Sequence, residues 1–458
     1  MTEPAPADTS TCSWGAGGSA AGAGTCPALL TDQYELTMVQ AALASGHADR
    51  RCVFELFGRR LPARRRYGVV AGTGRLLAAL REFSFDDDAL DFLGQAQVVD
   101  QATLDWLAGY RFTGDIWGYP EGECYFPGSP ILVVEAGFAQ AVVLETLALS
   151  ILNHDTAVAT AAARMRGAAG TRTMVEMGSR RTHEEAAVAA ARAAYIAGFD
   201  ITSNLAAGRR FGVPTGGTAA HAFTLLHASE QAAFAAQVRS LGAGTTLLVD
   251  TYDIPRAVRT AVEVAGPQLG AVRIDSGDLG QVAHQVRAEL DELGATSTRI
   301  LVSGDLDEFA IAGLAAAPVD AYGVGTSVVT GSGAPTAELV YKLVARADSD
   351  DPDAPMVGVA KRSAGKPTHK GRKWALRRLD ADGVAEAEVL STKAVPAGDD
   401  NDRPLLVPLV RAGEVLATEP LLAARARLQA SLAELPPTAM QLSAGDPAIG
   451  TVFVDETD

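Results

Sequence analysis

Arg273 and Asp275 stand two residues apart in Val272-Arg273-Ile274-Asp275-Ser276-Gly277-Asp278, so strand alternation puts both on one face, with Val272 and Ile274 on the other. A charged pair inside a sheet is costly to desolvate unless it is satisfied. Near the carboxyl end of a strand, the pair is either an internal salt bridge or a ligand contact. Two Gly-rich turns follow, Ser303-Gly304-Asp305 and Gly323-Val324-Gly325-Thr326-Ser327. Glycines let a backbone approach closely, and successive N–H groups with nearby hydroxyls can cradle a phosphate. In Gly216-Gly217-Thr218-Ala219-Ala220-His221, the histidine falls near the start of a helix that reads on to about Ser240. There the dipole disfavours the imidazolium, and a neutral imidazole is a nucleophile or a base; a packing or capping histidine is the plainer alternative. His221 and His227 are six apart, which is not the spacing of a metal pair on one helix face.

Absent residues narrow the chemistry further. The first lysine is Lys342, so the preceding strands carry no Schiff-base lysine. There is no GxxxxGK[ST], and His183-Glu184-Glu185 is not HExxH, so neither a Walker-type nucleotide site nor a zincin site is supported.

The elements that must position these residues are short apolar runs, each ending in Gly, Ser, Thr or Asp and followed by a helical stretch. Strands are predicted at Thr173–Met177, Phe199–Thr202, Val213–Gly216, Thr245–Val249, Ala271–Ile274, Ile300–Val302 and Ala321–Val324. That rhythm predicts an α/β barrel with its polar residues gathered at the carboxyl ends of the strands, where barrel chemistry is placed. Seven units are legible rather than eight.

At 458 residues the chain has room for two or three domains. Residues 1–26, rich in Gly, Ala, Ser and Thr, read as a disordered, dispensable tail without the basic and apolar regions of a signal peptide. Residues 27–150 mix helix patterns (Asp32–Leu43, Thr73–Glu82, Phe85–Gln95) with strand-like runs (Val53–Phe57, Ile131–Glu135), as in a separate α+β domain. Residues 151–345 hold the barrel. Residues 346–458 hold an acidic loop at Asp348–Asp353, the basic run Lys361–Arg378 and a helix pattern at Pro420–Leu435. The basic run is either a solvated hairpin face or a guide for phosphates.

A net charge of −16 argues against general nucleic-acid binding, which needs an excess of cations over an extended surface. No membrane span is read, and a soluble cytoplasmic protein is expected. Cys12, Cys26, Cys52 and Cys124 show neither CxxC spacing nor a disulfide framework, so free thiols are expected.

Taken together, the motifs resemble those of nicotinate phosphoribosyltransferases, a family of type II phosphoribosyltransferases. The resemblance runs from about Leu29 to Ala345. It is carried by Leu30-Thr31-Asp32-Gln33-Tyr34-Glu35-Leu36-Thr37-Met38, Phe54-Glu55-Leu56-Phe57, Glu176-Met177-Gly178-Ser179-Arg180-Arg181 and Gly198-Phe199-Asp200-Ile201-Thr202-Ser203-Asn204. The Gly217–His221 turn, Val249-Asp250-Thr251-Tyr252-Asp253, Arg273–Asp278 and Gly323–Thr330 complete it. Eight such strings in one order are specific. The resemblance implies a homodimer, an irregular seven-stranded α/β barrel, and a flanking α+β domain built from both ends of the chain. It implies a reaction of nicotinate with 5-phosphoribosyl-1-pyrophosphate, coupled to ATP hydrolysis, with magnesium accompanying pyrophosphate and ATP.

By the same resemblance His221 matches a transiently phosphorylated histidine. Tyr34 and Thr218 match nicotinate contacts, Arg273 matches the partner of the nicotinate carboxylate, and Thr326 matches a phosphoribosyl contact. Arg180, Asp275, Ser303, Gly304 and Gly325 complete the expected substrate-binding set. Thr368-His369-Lys370-Gly371-Arg372-Lys373 lacks the Pro-Gly turn of the family pattern, so no catalytic role is carried onto it. The rivals are a nicotinamide phosphoribosyltransferase of the same architecture and a catalytically silent phosphosugar-binding protein.

Overall fold

A computed structural model describes residues 26–361, 369–416 and 419–454. Most of the expected tail therefore lies outside the described residues, as do Arg362 and Lys366 of the basic run. The protein is mixed α/β. One sheet is parallel, with strands in the order Ile201–Thr202, Thr173–Glu176, Ala321–Val324, Arg299–Val302, Ala271–Ile274 and Thr246–Leu248. Its outward residues Val272, Ile274, Ile300, Val302, Tyr322 and Val324 are fully buried in one apolar layer under helices such as Ile254–Ala265 and Leu279–Glu292. The alternate positions Val175, Ala271, Leu301 and Ala321 face inward around a cavity of about 160 Å³. Ile201 and Gly216 from one edge of the sheet line that cavity together with Thr246 from the other, so the sheet is curled.

Six of the seven expected strands form. The seventh, Val213–Gly216, is reduced to one parallel bridge between Thr202 and Thr215. Pro214 has no N–H to give a ladder, and Gly216 and Gly217 supply no Cβ to pack against it. Two backbone bonds survive, Thr202 N–H to Pro214 C=O and Gly216 N–H to Thr202 C=O. No ladder joins this segment to Thr246–Leu248, so a seam stays open among the described residues.

The second large sheet is antiparallel and joins chain segments far apart in sequence. Its order is Met356–Gly358, Leu339–Ala347, Arg51–Gly58, Leu132–Gly137, Asp115–Gly118, Val407–Arg411 and Glu414–Val415. Arg51–Gly58 pairs with both Leu339–Ala347 and Leu132–Gly137. Two smaller sheets complete the fold: Arg403–Pro404, Trp374–Leu379, Ala385–Ser391 and Gly450–Phe453, and the pair Gly68–Val69 with Cys124–Tyr125. The C-terminal helix Leu421–Glu434 is tied to the parallel-sheet layer by Arg425, which donates to Tyr195 C=O and Asp200 Oδ1, both at 2.8 Å.

Where it is described, the basic run is a solvated face only in part, with Lys361 and Lys370 exposed. Lys373 and Arg377 are 3 % and 0 % exposed and paired with Glu55 and Glu388, and Arg372 pairs with Glu135 while stacking over Trp374. Cys26, Cys52 and Cys124 are free thiols. One segment missed in the sequence, Phe138–Ala169, is long and apolar enough to cross a membrane. In its apolar 18-residue window 67 % of the residues are buried inside the fold, as in the core helix of a folded domain.

Candidate active site

Because the strands of the curled sheet are parallel, the loops after Glu176, Thr202, Thr215, Leu248, Ile274, Val302 and Val324 emerge at one end. That rim brings His221, Thr218, Arg273, Asp275, Ser303, Gly304, Gly325, Thr326 and Arg180 to the same side of the molecule.

Arg273 lies at the centre, with its side chain only 13 % exposed. Its Nε donates to Ser303 Oγ at 2.8 Å, Nη1 to Thr218 Oγ1 at 3.1 Å and Nη2 to Asp275 Oδ1 at 2.9 Å. Ser303 Oγ donates in turn to Asp275 Oδ1. Burial alone would raise the Asp275 carboxyl. The Ser303 hydroxyl and the Arg273 guanidinium outweigh it and hold Asp275 below the usual carboxylate range. The pair expected from strand alternation is therefore a salt bridge, joined through Arg273 to Thr218, which lines the cavity. The Ser303 hydroxyl is turned inward to Arg273 and Asp275 rather than outward as a phosphate donor.

His221 opens the helix His221–Leu226, which stops at His227; Ser229 then caps a second helix, Glu230–Leu241. The single long helix expected up to Ser240 is thus broken, because His227 is extended and Ser229 Oγ takes the Ala232 N–H. The His221 side chain is 41 % exposed, so it is not a packing residue. Its Nε2 lies 3.0 Å from Asp250 Oδ1. Asp250 was not singled out from sequence. Its side chain is 1 % exposed, and its other oxygen accepts from Asp275 N–H at 2.9 Å and Ser276 Oγ at 2.7 Å. One carboxylate thereby links the histidine to the loop after Arg273.

The Gly-rich turns are shaped for close approach. Gly304 has φ +114°, and a Cβ there would lie 2.6 Å from Asp275 C=O. Replacing Gly304 with alanine should force this loop away from Asp275, costing about 1–3 kcal/mol of stability and roughly 100-fold in turnover. Thermal melts and steady-state rates on the variant check both numbers. Gly325 precedes the short helix Thr326–Val329, and its C=O would lie 2.9 Å from a Cβ on Gly178. That packs the turn Gly178–Arg180 beside Thr326; Arg180 and Thr326 are both exposed on the rim.

Tyr34 is not brought into this group by the single chain. It is 46 % exposed on the helix Gln33–Ala44, and its phenol is pushed up to about 12 by burial, with Glu145, Glu35 and Asp32 adding. A larger cleft of about 1160 Å³ lies between the helices Thr73–Glu82, Glu145–Ala169 and Glu184–Ile196. Its Arg75, Arg192 and Arg210 are matched by Asp155, Glu121 and Glu185. Among the described residues no group of three or more His, Cys, Asp or Glu side chains gathers to hold a metal ion.

Known proteins carry the same architecture. Residues 29–153 match the nicotinate phosphoribosyltransferase N-terminal domain, and residues 158–333 match the quinolinate phosphoribosyl transferase C-terminal domain. The chain is 59 % identical over 436 residues to nicotinate phosphoribosyltransferase pncB1 of Mycobacterium tuberculosis, covering 92 % of this chain and 94 % of that one. It is 39 % identical over 364 residues to the nicotinate phosphoribosyltransferase of Bacillus subtilis, covering 77 % and 73 %. The crystal structure of human nicotinic acid phosphoribosyltransferase superposes with a TM-score of 0.78 at 27 % identity, covering 93 % of this chain and 98 % of that one. The chain belongs to the nicotinate phosphoribosyltransferase family.

Proposed function

We propose that this protein joins nicotinate to 5-phosphoribosyl-1-pyrophosphate, giving nicotinate mononucleotide and pyrophosphate for NAD biosynthesis. ATP and water are consumed alongside, giving ADP and phosphate through a phosphohistidine at His221. The observation that carries the reading is Arg273, a nearly buried guanidinium bonded to the cavity-lining Thr218, whose three hydrogen bonds to protein leave one N–H free on each terminal nitrogen. That is a fork for a carboxylate.

Departure of pyrophosphate leaves positive charge on the ribose ring, so the protein's task is to hold the pyridine nitrogen in line with the anomeric carbon. Thr218 and Arg273 orient the ring. Arg180, the Gly304 and Gly325 turns and Thr326 receive the phosphates. Magnesium carried by the pyrophosphoryl groups of the substrates would supply charge compensation there. Asp250 and Asp275 are engaged by His221 and Arg273.

Asp250 at Nε2 leaves Nδ1 of His221 as the nitrogen open to phosphorus. With radiolabelled ATP, the wild type should hold an acid-labile label that is absent from His221→Ala. Equal labelling of both proteins would remove the histidine from the mechanism.

The molecule works as a homodimer in this reading. Leu205, Leu225, Leu226 and Tyr252, all at least 62 % exposed, form apolar bumps around the rim, while Leu30 and Tyr34 protrude from the N-terminal region. A second copy docked on the rim would cover both sets and carry Tyr34 to the neighbouring nicotinate site. We further read the curled sheet as a seven-stranded barrel whose reduced member is Val213–Gly216. Residues 27–150 and 346–458 flank the barrel unit 151–345, and the protein acts in the cytoplasm.

A further inference from the structure

Acid-over-amide selectivity needs more than the presence of a guanidinium; the plane of that group must be fixed. Arg273 could turn about its last side-chain bonds, and what prevents this is a closed ring: Nε to Ser303 Oγ at 2.8 Å, Ser303 Oγ to Asp275 Oδ1, and Nη2 to the same Oδ1 at 2.9 Å. The ring occupies the side-on edge of the guanidinium, from Nε to Nη2. Nη1 and Nη2 each keep one further N–H, and the one on Nη2 lies on the end-on edge.

Ser303 is itself held firmly. It is 4 % exposed, its N–H donates to Ile274 C=O at 2.9 Å, and its Cβ would lie 3.2 Å from one placed on Gly323. The parallel register that sets Leu301 beside Arg273 puts Ser303, two residues further on, beside Asp275 on the same inward face.

We propose that Ser303 is the positioning residue that sets selectivity for a pyridine carboxylate over the corresponding carboxamide, by locking the end-on edge of Arg273 toward the ring's substituent without touching substrate. The inference rests on the nicotinate reading above. A carboxylate uses both outward N–H groups; a carboxamide, with a single acceptor oxygen, uses one and sets its NH₂ against the other. With the ring opened, only the Thr218 and Asp275 bonds hold the guanidinium, which can then tilt to present a single N–H; that removes the acid's advantage and leaves the amide's contact intact.

The test is steady-state kinetics on Ser303→Ala and Ser303→Cys, the second keeping the size but replacing the hydroxyl with a weak hydrogen-bonding thiol. Both should raise KM for nicotinate by roughly 10- to 100-fold, the order lost when a contact group is misplaced by about 1 Å. The nicotinate-to-nicotinamide ratio of kcat/KM should fall by about the same factor, while KM for 5-phosphoribosyl-1-pyrophosphate and kcat at saturation stay within about 3-fold. If KM rises equally for both substrates, the role is structural and the proposal is overturned. An unchanged nicotinate KM in either folded variant overturns it as well. Failure of the function reading looks different: the wild type itself would then release no pyrophosphate in response to nicotinate.

Discussion

Replacing Arg273 with leucine is expected to lower kcat/KM for nicotinate by roughly 30-fold to a few thousand-fold, or about 2–5 kcal/mol, while that for nicotinamide falls much less. The size follows from the site. A guanidinium with a 13 % exposed side chain meets its ligand with little water to screen the charge, and its removal leaves Asp275 beside the ligand carboxylate without a cation. Lysine should rescue little, because a point charge cannot satisfy Ser303, Thr218, Asp275 and a carboxylate at once. Parallel measurement of both pyridines decides the matter. Equal losses for the two would mean that Arg273 supports the fold of the rim and does not read the carboxylate.

The largest effect on stability is expected at Arg377. It is completely buried, donates to Glu388 Oε1 at 2.7 Å and to Cys124 C=O at 2.8 Å, and lies 3.6 Å from Glu123. Burial pushes the Glu388 carboxyl up, and Arg377 is the main group opposing this. Arg377→Met should therefore cost about 3–5 kcal/mol, since it strands a carboxylate in the interior. Adding Glu388→Leu should recover a large part of that loss, because two apolar groups need no partners. Urea unfolding of the single and double variants checks both statements. A single variant within about 1 kcal/mol of wild type would show that Glu388 is content without the cation.

The legible part of this protein is the part whose signals are local. Ala271–Ile274 and Ala321–Val324 end where the apolar runs end, and Arg273 and Asp275 share a face because alternation requires it. Val213–Gly216 looked like the others by composition, and only its missing partner on one side reveals that Pro214 had spoiled it. Asp250 was overlooked because an aspartate after an apolar run is the ordinary start of a helix. Asp253, Asp278 and Asp307 are such caps here, each accepting from a backbone N–H at the helix start. The clue was that Asp253 already served as cap three residues on, so Asp250 was free for other work.

The antiparallel sheet could not be assembled from sequence, since Arg51–Gly58 finds its neighbour nearly three hundred residues away in Leu339–Ala347. The same distance hid the fate of the basic run. Lys373 reads as a surface charge until Glu55 is placed beside it. Tyr34 is a different case: it is 46 % exposed on the helix Gln33–Ala44, and its nicotinate contact belongs to the proposed dimer.

The unjoined seam between Gly216 and Thr246 has a mechanical consequence. The peptide bearing Thr218 and His221 hangs from one lip of that seam, so under the proposed phosphorylation of His221 it would yield to the added dianion without breaking any cross-strand bond to Thr246–Leu248. Asp250, riding on the opposite lip, would feel that shift through its bond to the ring and pass it to the backbone of Asp275. On the proposed mechanism, a phosphoryl group on the histidine would thus act at an unladdered edge of the wall and be coupled through Asp250 to the loop that carries Asp275, the partner of Arg273.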